Sequence, residues 1–462
     1  MKNLPRALRS TVSMIALASL LGACTMIPDY ERPSVEVPAA YSGPANNQTK
    51  SDALIAADWW KSFNDPALDA LMSEALTRNL DIAAALARID QAQGALRAAN
   101  APLLPQVDAS GNTSRSESSN NATGIRESAG GDLSISYALD LWGQYRSQSA
   151  ASRASYRASQ FDHDATVLLV QSSVATTYFT ILNLQERLDI SRDSLTAAQE
   201  TLKLVQSRYD YGAISELDLV QQRANVASIE AGIPTLEDQL KSNQNALAIL
   251  LGHAPLGYNA STIPAAKPAL PVIASGQPSQ LLERRPDIRR AEEQLLSANA
   301  NIGAARAAFF PSLKLTASQS VDWLASAGTS NGSSIAASLL APIFSGGTLE
   351  GNLTSAKGKK AELAASYQKA VLTAFGEVEN AMSSAEANAR REASLSIAAA
   401  QSRKAYELSQ ASYKAGAIDF TSVLESQRSW LSARDTQAQA RLAQYTAAVN
   451  LFIALGGGWQ SS

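Results

Sequence analysis

The sequence predicts an α+β membrane protein built from two copies of one unit, in which a helix, a β-hairpin, a very long helix and a shorter helix follow one another. Three observations predict this fold. Short motifs recur roughly two hundred residues apart. Segments in which apolar and polar residues alternate follow Pro105 and Pro311. Helical stretches of roughly 65 residues come after these segments in both halves of the chain.

The duplication rests on four pairs of motifs. In the first two pairs the second motif lies 206 positions after the first, and in the other two it lies 204 positions after it. Several matches at nearly one spacing are the signature of an internal repeat. The pairs are 79–82 with 285–288, 99–105 with 305–311, 209–214 with 413–418, and 247–252 with 451–456.

Each copy begins with one helix, predicted over 66–101 in the first copy and over 283–308 in the second. Asp65 is suited to cap the first helix, because a proline follows it at the first helical position. Pro105 and Pro311 end the two helices, since proline cannot continue a helix and favours an extended residue before it.

The alternating segments predict two β-hairpins, at about 106–141 and 312–344, with a polar loop at 118–131 between the first two strands. A period of two places the apolar side chains on one face of a strand and the polar ones on the other. The apolar members of the second strand are Leu133, Ile135, Tyr137, Leu139 and Leu141.

Four such strands cannot form a closed barrel, because outer-membrane barrels begin at about eight strands. Open sheet edges are not tolerated in lipid, since their backbone groups would lack hydrogen-bond partners. We therefore expect the chain to oligomerise, although the strands alone do not set the number of copies.

Very long helices are predicted over about 144–211 and 347–415, and each is followed by a shorter helix, at about 213–252 and 417–456. In the first long helix, apolar residues recur every seven positions from Ile181 onward, which is the pattern of a coiled-coil seam. At 1.5 Å per residue such a helix is roughly 100 Å long, which far exceeds the thickness of a bilayer.

The N-terminus has the layout of a bacterial lipoprotein signal. Basic residues precede a short apolar run and the sequence Leu21-Gly22-Ala23-Cys24, which matches the lipobox. Cys24 is the only cysteine, so we expect lipid attachment to consume its sulfur, and we expect no other cofactor. By resemblance to sorted lipoproteins, Thr25 favours the outer membrane. The predicted segments are a signal peptide (1–23), a lipidated extended segment (24–65), the first copy (66–252), a proline-rich linker (253–278), the second copy (279–456) and a tail (457–462).

Composition argues against several classes of protein. A net charge of −3 offers no basic face for nucleic acid. Two histidines, no cysteine left after lipidation and no nucleophile motif argue against an enzyme and a metal site. The predicted mature chain shows no apolar run of the length that a transmembrane helix needs, so we expect no such helix.

Four segments carry a resemblance to a known family: Asp-Trp-Trp at 58–60, Asp-Pro-Ala-Leu at 65–68, the stretch 299–312 and the closing Leu-Gly-Gly-Gly-Trp at 455–459. They resemble the TolC-like outer membrane factors, in particular the lipoprotein (NodT-type) branch of tripartite RND efflux systems. The resemblance covers essentially the whole mature chain. It implies a homotrimer in the outer membrane whose twelve-stranded β-barrel continues into a twelve-helix α-barrel across the periplasm.

The resemblance also implies a function and partners. The channel would be a passive exit duct for small toxic compounds such as drugs or metal ions. A periplasmic adaptor (membrane fusion) protein and an inner-membrane RND-type transporter would open it. The channel would also contact the lipid of the outer membrane, and it would not bind nucleic acid.

The resemblance places candidate site residues at the turns that close the long helix pairs. The turns would contact the adaptor, and residues just beyond them would narrow and gate the pore. The adaptor-contact residues are Tyr209, Gly212, Ala213, Ile214, Gly416, Ala417 and Ile418. The gate residues are Asp218, Tyr413, Ser422, Glu425 and Arg428, with Tyr413 and Asp218 holding neighbouring helices together. The charged members also fit an ordinary solvated helix face.

Two other functions remain open at this point. The same architecture would serve as the exit duct of a type I protein secretion system. A periplasmic coiled-coil adaptor lipoprotein, which is a binding module, would share the long helices but needs only one helical hairpin. Neither the transported compounds nor the identity of the transporter follows from the sequence.

Overall fold

The computed structural model describes residues 25–38, 41, 55–118, 124–256, 267–273, 278–324 and 328–459, so Cys24 and the predicted signal peptide lie outside the described residues. The chain forms two compact units, and each contains parts of both copies. The first unit comprises Met1–Val35, Ala87–Phe161 and Ile288–Ala370. The second comprises Glu36–Leu86, Asp162–Asp287 and Val371–Ser462.

The two copies contain the same elements in the same order, which confirms the predicted unit. The first copy contains α1 (Pro66–Arg78), α2 (Leu80–Asn100), β1 (Gln106–Ser118), β2 (Gly124–Leu139), α3 (Gln144–Asp210) and α4 (Glu216–Leu250). The second copy contains α5 (Pro278–Arg284), α6 (Pro286–Ala307), β3 (Ser312–Leu324), β4 (Gly328–Leu340), α7 (Thr348–Lys414) and α8 (Phe420–Ala454).

The first predicted helix of the first copy, over 66–101, is two helices, so that prediction is wrong. In the second copy α6 matches the predicted 283–308 to within three residues, and the short helix α5 precedes it. Asn79 has an extended backbone between α1 and α2, and its side-chain oxygen accepts from the backbone N–H of Asp81 at 2.9 Å. It therefore caps the start of α2. In the second copy Arg285 precedes a proline, a position at which helical backbone is disfavoured.

The predicted polar loop at 118–131 is also wrong, because β2 already begins at Gly124. The register runs from Gln106 opposite Ser136 to Ser118 opposite Gly124, so the polar residues continue the ladder. Backbone hydrogen bonds form this ladder whatever the side chains are. Five residues (119–123) separate the first two strands and three (325–327) separate the last two. This difference of two residues accounts for the change in repeat offset from 206 to 204.

The four strands form one antiparallel sheet in the order β1-β2-β3-β4. The register aligns apolar side chains across all four strands, and large members of these rows are exposed in the single chain. One row consists of Val107, Ile135, Ala317 and Ile335, and shorter rows consist of Tyr137, Leu315 and Ala337, and of Leu139, Leu313 and Leu339.

The opposite face of the sheet is polar. A row on that face consists of Asp108, Ser134, Ser318 and Ser334. The hydroxyl groups of Ser318 and Ser334 are 2.8 Å apart and form a hydrogen bond. The sheet therefore has one apolar and one polar face, as the alternation predicts.

The long helices are of equal length in the two copies, 67 residues each, and the following helices are 35 residues each. The shorter helices begin three residues later than predicted, at Glu216 and Phe420, because Ser215 and Asp419 have extended backbone and cap them. Gly252 and Gly456 follow these helices with positive φ angles of 73° and 94°. Only glycine adopts such angles without strain.

The second unit has an aromatic core. The rings of Phe179 and Tyr445 stack at 4.7 Å, and those of Trp59 and Phe452 stack at 5.1 Å. The hydroxyl of Tyr445 donates to the carbonyl oxygen of Pro268 in the linker at 2.6 Å. The first copy, the second copy and the linker therefore share one core.

The expectation of no helix apolar enough to cross a membrane needs correction. Within the described residues, α3 contains an 18-residue window with a mean hydropathy of 1.4, so by length and composition alone this helix could cross a membrane. Half of that window is buried, and Val170, Val174 and Tyr178 of this helix contribute to the aromatic core. Core packing therefore explains the apolar character of α3.

In the first unit, the described N-terminal residues 25–35 include contacts with α6. Arg32 pairs with Glu292 at 2.7 Å, and the side chain of Asn299 donates to the carbonyl oxygen of Pro28 at 2.8 Å. A Cβ atom on Gly303 would lie 2.8 Å from the backbone nitrogen of Ile27, so only glycine leaves room for the segment there.

Candidate functional site at the helix tips

The predicted adaptor-contact residues lie in two turns, which we call the first tip (209–218) and the second tip (413–422). In each turn a glycine in left-handed conformation follows the long helix, Gly212 with φ 70° and Gly416 with φ 77°. No atom lies within 4 Å of a Cβ added at either glycine, so backbone conformation rather than space requires glycine. Ala213 and Ala417 follow and are exposed.

The two tips use the same pair of capping residues in opposite order. Ser215 caps α4, and Asp218 completes a capping box by accepting from the backbone N–H of Ser215 at 3.2 Å. In the second tip Asp419 is the cap, and its carboxylate accepts from the backbone N–H and from the hydroxyl of Ser422, both at 2.8 Å. The predicted gate residues Asp218 and Ser422 therefore hold the first turns of the shorter helices.

Asp419 is held in its charged form. The backbone N–H of Ser422, and then its hydroxyl, lower the pKa of Asp419 below the ordinary value of 3.8. Its carboxylate is exposed and sits at the N-terminus of α8, where the helix dipole favours negative charge.

Tyr413 lies in an apolar cluster, the tip cluster, where four helices meet. The side chain is 7% exposed, its ring is 5.5 Å from that of Phe420, and the guanidinium of Arg208 lies 4.5 Å from its centre. Its hydroxyl is buried and has no hydrogen-bond partner among the described residues. The tip cluster consists of Val205, Leu219, Tyr406, Tyr413, Phe420, Val423 and Leu424, with Ile214 and Ile418 packed against it.

The structure does not bring Tyr413 and Asp218 together within one chain. Asp218 is bonded to Ser215, and the Tyr413 hydroxyl is unpaired in the described part of the protein. Their predicted role in holding neighbouring helices together stays a prediction.

Tyr209 and Tyr413 occupy equivalent positions but have different environments. Tyr209 is 36% exposed, and Tyr211 beside it is 87% exposed. The first tip therefore presents aromatic surface, whereas the second tip buries its tyrosine.

Glu425 and Arg428 lie on an exposed face of α8, while Val423, Leu424 and Gln427 on the same helix are buried. The two charged side chains form no ion pair with each other in the described chain, although they are three residues apart. They are therefore available to groups outside the single chain.

Buried amides lie next to the tip cluster. The Gln222 side chain donates to the carbonyl oxygen of Ala198 at 2.6 Å, and Asn225 donates to Gln427 at 3.4 Å. Two other atoms of these amides, Gln222 Oε1 and Gln427 Nε2, are buried and have no hydrogen-bond partner among the described residues. Leaving such a buried group without a partner costs roughly 1–3 kcal/mol.

Sequence reasoning missed several residues of this site. Asp419-x-x-Ser422 before an apolar helix is an N-cap pattern that could have identified the cap. Arg208 and Phe420 carry no comparable signal, because their contacts with Tyr413 depend on how different helices pack.

Comparison with known proteins identifies the family. The family described as outer membrane efflux protein matches residues 71–253 and 277–457. The chain is 36% identical to the pyoverdine export outer membrane protein OpmQ of Pseudomonas aeruginosa, over 97% of each. It is 31% identical to the cation efflux system protein CusC of Escherichia coli, over 96% of this chain and 98% of that one. The crystal structure of the Campylobacter jejuni CmeC outer membrane channel matches with a TM-score of 0.86 and 27% identity, over 95% of this chain and 96% of that one.

The two matched ranges correspond to the two copies of the repeat, and together they cover most of the chain. The predicted resemblance is thereby confirmed at the level of the family, while its lipoprotein branch stays a prediction. The chain belongs to the outer membrane efflux protein family and is an outer-membrane channel component of an efflux system.

Proposed function

We propose that three copies of this chain form the outer-membrane exit duct of a tripartite efflux pump. The sheet carries the proposal. One of its faces has apolar rows, the other has polar rows, and strands β1 and β4 are its two edges. In lipid such edges must pair, and three chains supply twelve strands, an even number within the range of outer-membrane barrels. The apolar face then meets lipid and the polar face lines the lumen.

The connections support the same reading. Because the strands are antiparallel, β1 and β3 start at the same end of the sheet at which β2 and β4 finish. All four lead to helices. The helices therefore leave the membrane on one side, and roughly 100 Å of helix reaches into the periplasm.

The gate forms at the tips. The exposed Glu425 and Arg428 line the narrow passage, and three Glu425 carboxylates around the axis would focus a negative field. Asp218 and Tyr413 hold neighbouring helices together. Because Ser422 is uncharged, the side chains around the passage carry less negative charge than they would with an aspartate at this position. If Asp218→Ala and Tyr413→Phe both leave the closed conductance at the parental value, these residues do not gate. The turn residues from Tyr209 to Ile214 and from Gly416 to Ile418 meet the adaptor.

A lipid on Cys24 anchors the chain to the outer membrane. The segment that begins at Thr25 is held against α6, and Ile27 approaches Gly303 only a few residues before β3 begins at Ser312. This contact supports an anchor near the end of the sheet at which β3 begins, where an acyl chain on Cys24 would reach lipid.

The cargo is small molecules that an inner-membrane RND-type transporter delivers through a periplasmic adaptor. The relatives are named for pyoverdine export and for cation efflux, so the duct itself accepts chemically different compounds. Catalysis is not part of this function. A secretion duct would share the same architecture, whereas an adaptor would not need the two-faced sheet.

Deleting the gene tests the proposal. We expect greater susceptibility to several antibiotics, detergents or copper and silver salts, with recovery when the gene is restored. The protein should fractionate with the outer membrane. Fractionation with the inner membrane would favour an adaptor, and unchanged susceptibility together with lost protein export would favour a secretion duct.

A further inference from the structure

We propose that Glu237 of one chain pairs with Arg390 of the neighbouring chain, and that this contact is a charge-inverted copy of an ion pair formed inside each chain. The inference rests on the proposed trimer. It assigns a specific contact between chains, and it explains why first and second repeat copies would alternate around the trimer.

The internal ion pair joins the two copies within one chain. Arg441 on α8 lies 2.7 Å from Glu186 on α3 and 3.8 Å from Glu392 on α7. One arginine is thus shared by two carboxylates on two neighbouring helices. Close by, the side chain of Asn183 donates to the carbonyl oxygen of Ala438 at 2.7 Å, which fixes α3 against α8.

The two helix hairpins are equivalent position by position. The long helices have the same length, the shorter helices have the same length, and an offset of 204 relates both pairs without a gap. Gly252 approaches the backbone carbonyl of Arg78 in the first copy as Gly456 approaches that of Arg284 in the second, so that a Cβ atom added at either glycine would clash with the carbonyl oxygen. Contacts seen around one hairpin are therefore expected around the other.

The offset maps the internal ion pair onto residues of opposite charge. Glu186 on α3 corresponds to Arg390 on α7, and Arg441 on α8 corresponds to Glu237 on α4. The counterpart of the α3–α8 contact is thus a contact between α7 and α4. Within one chain the described residues of α7 and α4 share the tip cluster, but Glu237 and Arg390 each pair with a residue of their own hairpin, so a neighbouring chain would supply the partner helix at this level.

Both residues are placed for such a contact. The side chain of Arg390 is 75% exposed, and its ion pair among the described residues is with Glu386 of its own helix, at 3.6 Å. Glu237 pairs with Arg192 of its own hairpin at 2.8 Å and stays accessible. A neighbouring Arg390 would place Glu237 between two arginines, just as Arg441 lies between two glutamates.

The inversion also selects among possible pairings. If α3 met the α4 of another chain, Glu186 would face Glu237, and if α7 met the α8 of another chain, Arg390 would face Arg441. Like charges disfavour both arrangements, whereas the alternating order of copies brings opposite charges together. The neighbouring ion pair, Arg187 with Asp435 at 2.6 Å, has no such counterpart, because it maps onto Arg391 and Ala231.

Chemical cross-linking tests the contact directly. The chain has one cysteine, so paired cysteines can be introduced and linked in intact membranes with a short bis-maleimide reagent. Glu237→Cys with Arg390→Cys should yield linked dimers and trimers on a denaturing gel. Glu186→Cys with Arg441→Cys should link within one chain and run as a monomer. Each single variant controls for reaction at Cys24.

Charge reversal tests the energetics. We expect Arg390→Glu to raise the fraction of dissociated chains at a fixed detergent concentration about tenfold, and Glu237→Arg added to it to restore the parental fraction. Arg391→Glu makes the same charge change one residue away and should have little effect. Circular dichroism checks that all variants keep their helices.

The outcomes separate this inference from the proposed trimer. A parental protein that light scattering shows to be no trimer overturns both. A trimer in which positions 237 and 390 fail to link between chains, or in which the double reversal stays as weak as the single one, overturns this inference alone.

Discussion

The guanidinium of Arg208, at the end of α3, lies 4.5 Å from the centre of the Tyr413 ring, at the end of α7. This contact joins the last turns of the two long helices. The corresponding pair in the repeat is Ser412 and Tyr209, so the cation is missing there. The contact between the two tips inside one chain therefore includes a cation that the equivalent pair of positions, 412 and 209, lacks.

Arg208→Ala should loosen the tip. Loss of a cation–π contact of roughly 0.5–1 kcal/mol predicts a two- to fivefold rise in the spontaneous opening of the channel, which single-channel recording measures. Arg403→Ala is the control, because Arg403 pairs with Glu407 on the exposed face of α7 and lies outside the tip cluster. An equal rise in both variants would show that the contact does not hold the tip.

The cap at Asp419 predicts a pH dependence of α8. Because hydrogen bonds from Ser422 lower its pKa in the folded protein, its stabilising contribution is complete above about pH 3.8 and is lost as the pH falls further. Hydrogen exchange at 420–424, corrected for intrinsic rates, should therefore accelerate in acid. Asp419→Asn keeps the accepting oxygen and removes the titration, so its exchange should lose this acid step. The same step in both proteins would contradict the assignment.

The two faces of the sheet predict opposite responses to one charge. Ile335, 93% exposed in the single chain, belongs to an apolar row, and Ser334 belongs to the polar row. Ile335→Lys should cost about 2–4 kcal/mol if it lies near the middle of the membrane and should prevent insertion into outer-membrane fractions. Ser334→Lys should insert normally and shift ion selectivity toward anions. Normal insertion of both would argue that the apolar rows do not meet lipid.

Tyr178 and Asp65 predict a stability effect in the second unit. The buried Tyr178 hydroxyl donates to Asp65 Oδ2, while Asp65 Oδ1 accepts from the backbone N–H of Ala67 at 2.9 Å and caps α1. Tyr178→Phe leaves a buried carboxylate oxygen unpaired, which should cost roughly 1–3 kcal/mol and lower the melting temperature. Tyr211→Phe, at an exposed position, should leave it unchanged. Equal melting temperatures for Tyr178→Phe and the parent would contradict this role.

The architecture could be predicted because its signals are periodic. The repeat offsets and the seven-residue spacing after Ile181 locate α3, α4, α7 and α8 to within a few residues. The alternation around Leu133 and Leu315 identifies the faces of the sheet, since adjacent strands align like with like.

The errors have a common physical origin. The break at Asn79 depends on one side chain that caps a helix, and the polar half of β2 is fixed by its partner strand rather than by its own pattern. At the tips, the family resemblance selects Asp218 and Tyr413 as candidates but does not predict which atoms they meet. Those contacts depend on packing between helices far apart in sequence, as with Arg208 and Tyr413.

Single-channel recording on the purified trimer in a planar bilayer tests the central claim most directly. We predict discrete conductance steps from the trimer, rare in the parental protein and more frequent in Arg208→Ala, with no steps from dissociated chains. A trimer that inserts into the bilayer and conducts no ions in either form would contradict a channel function.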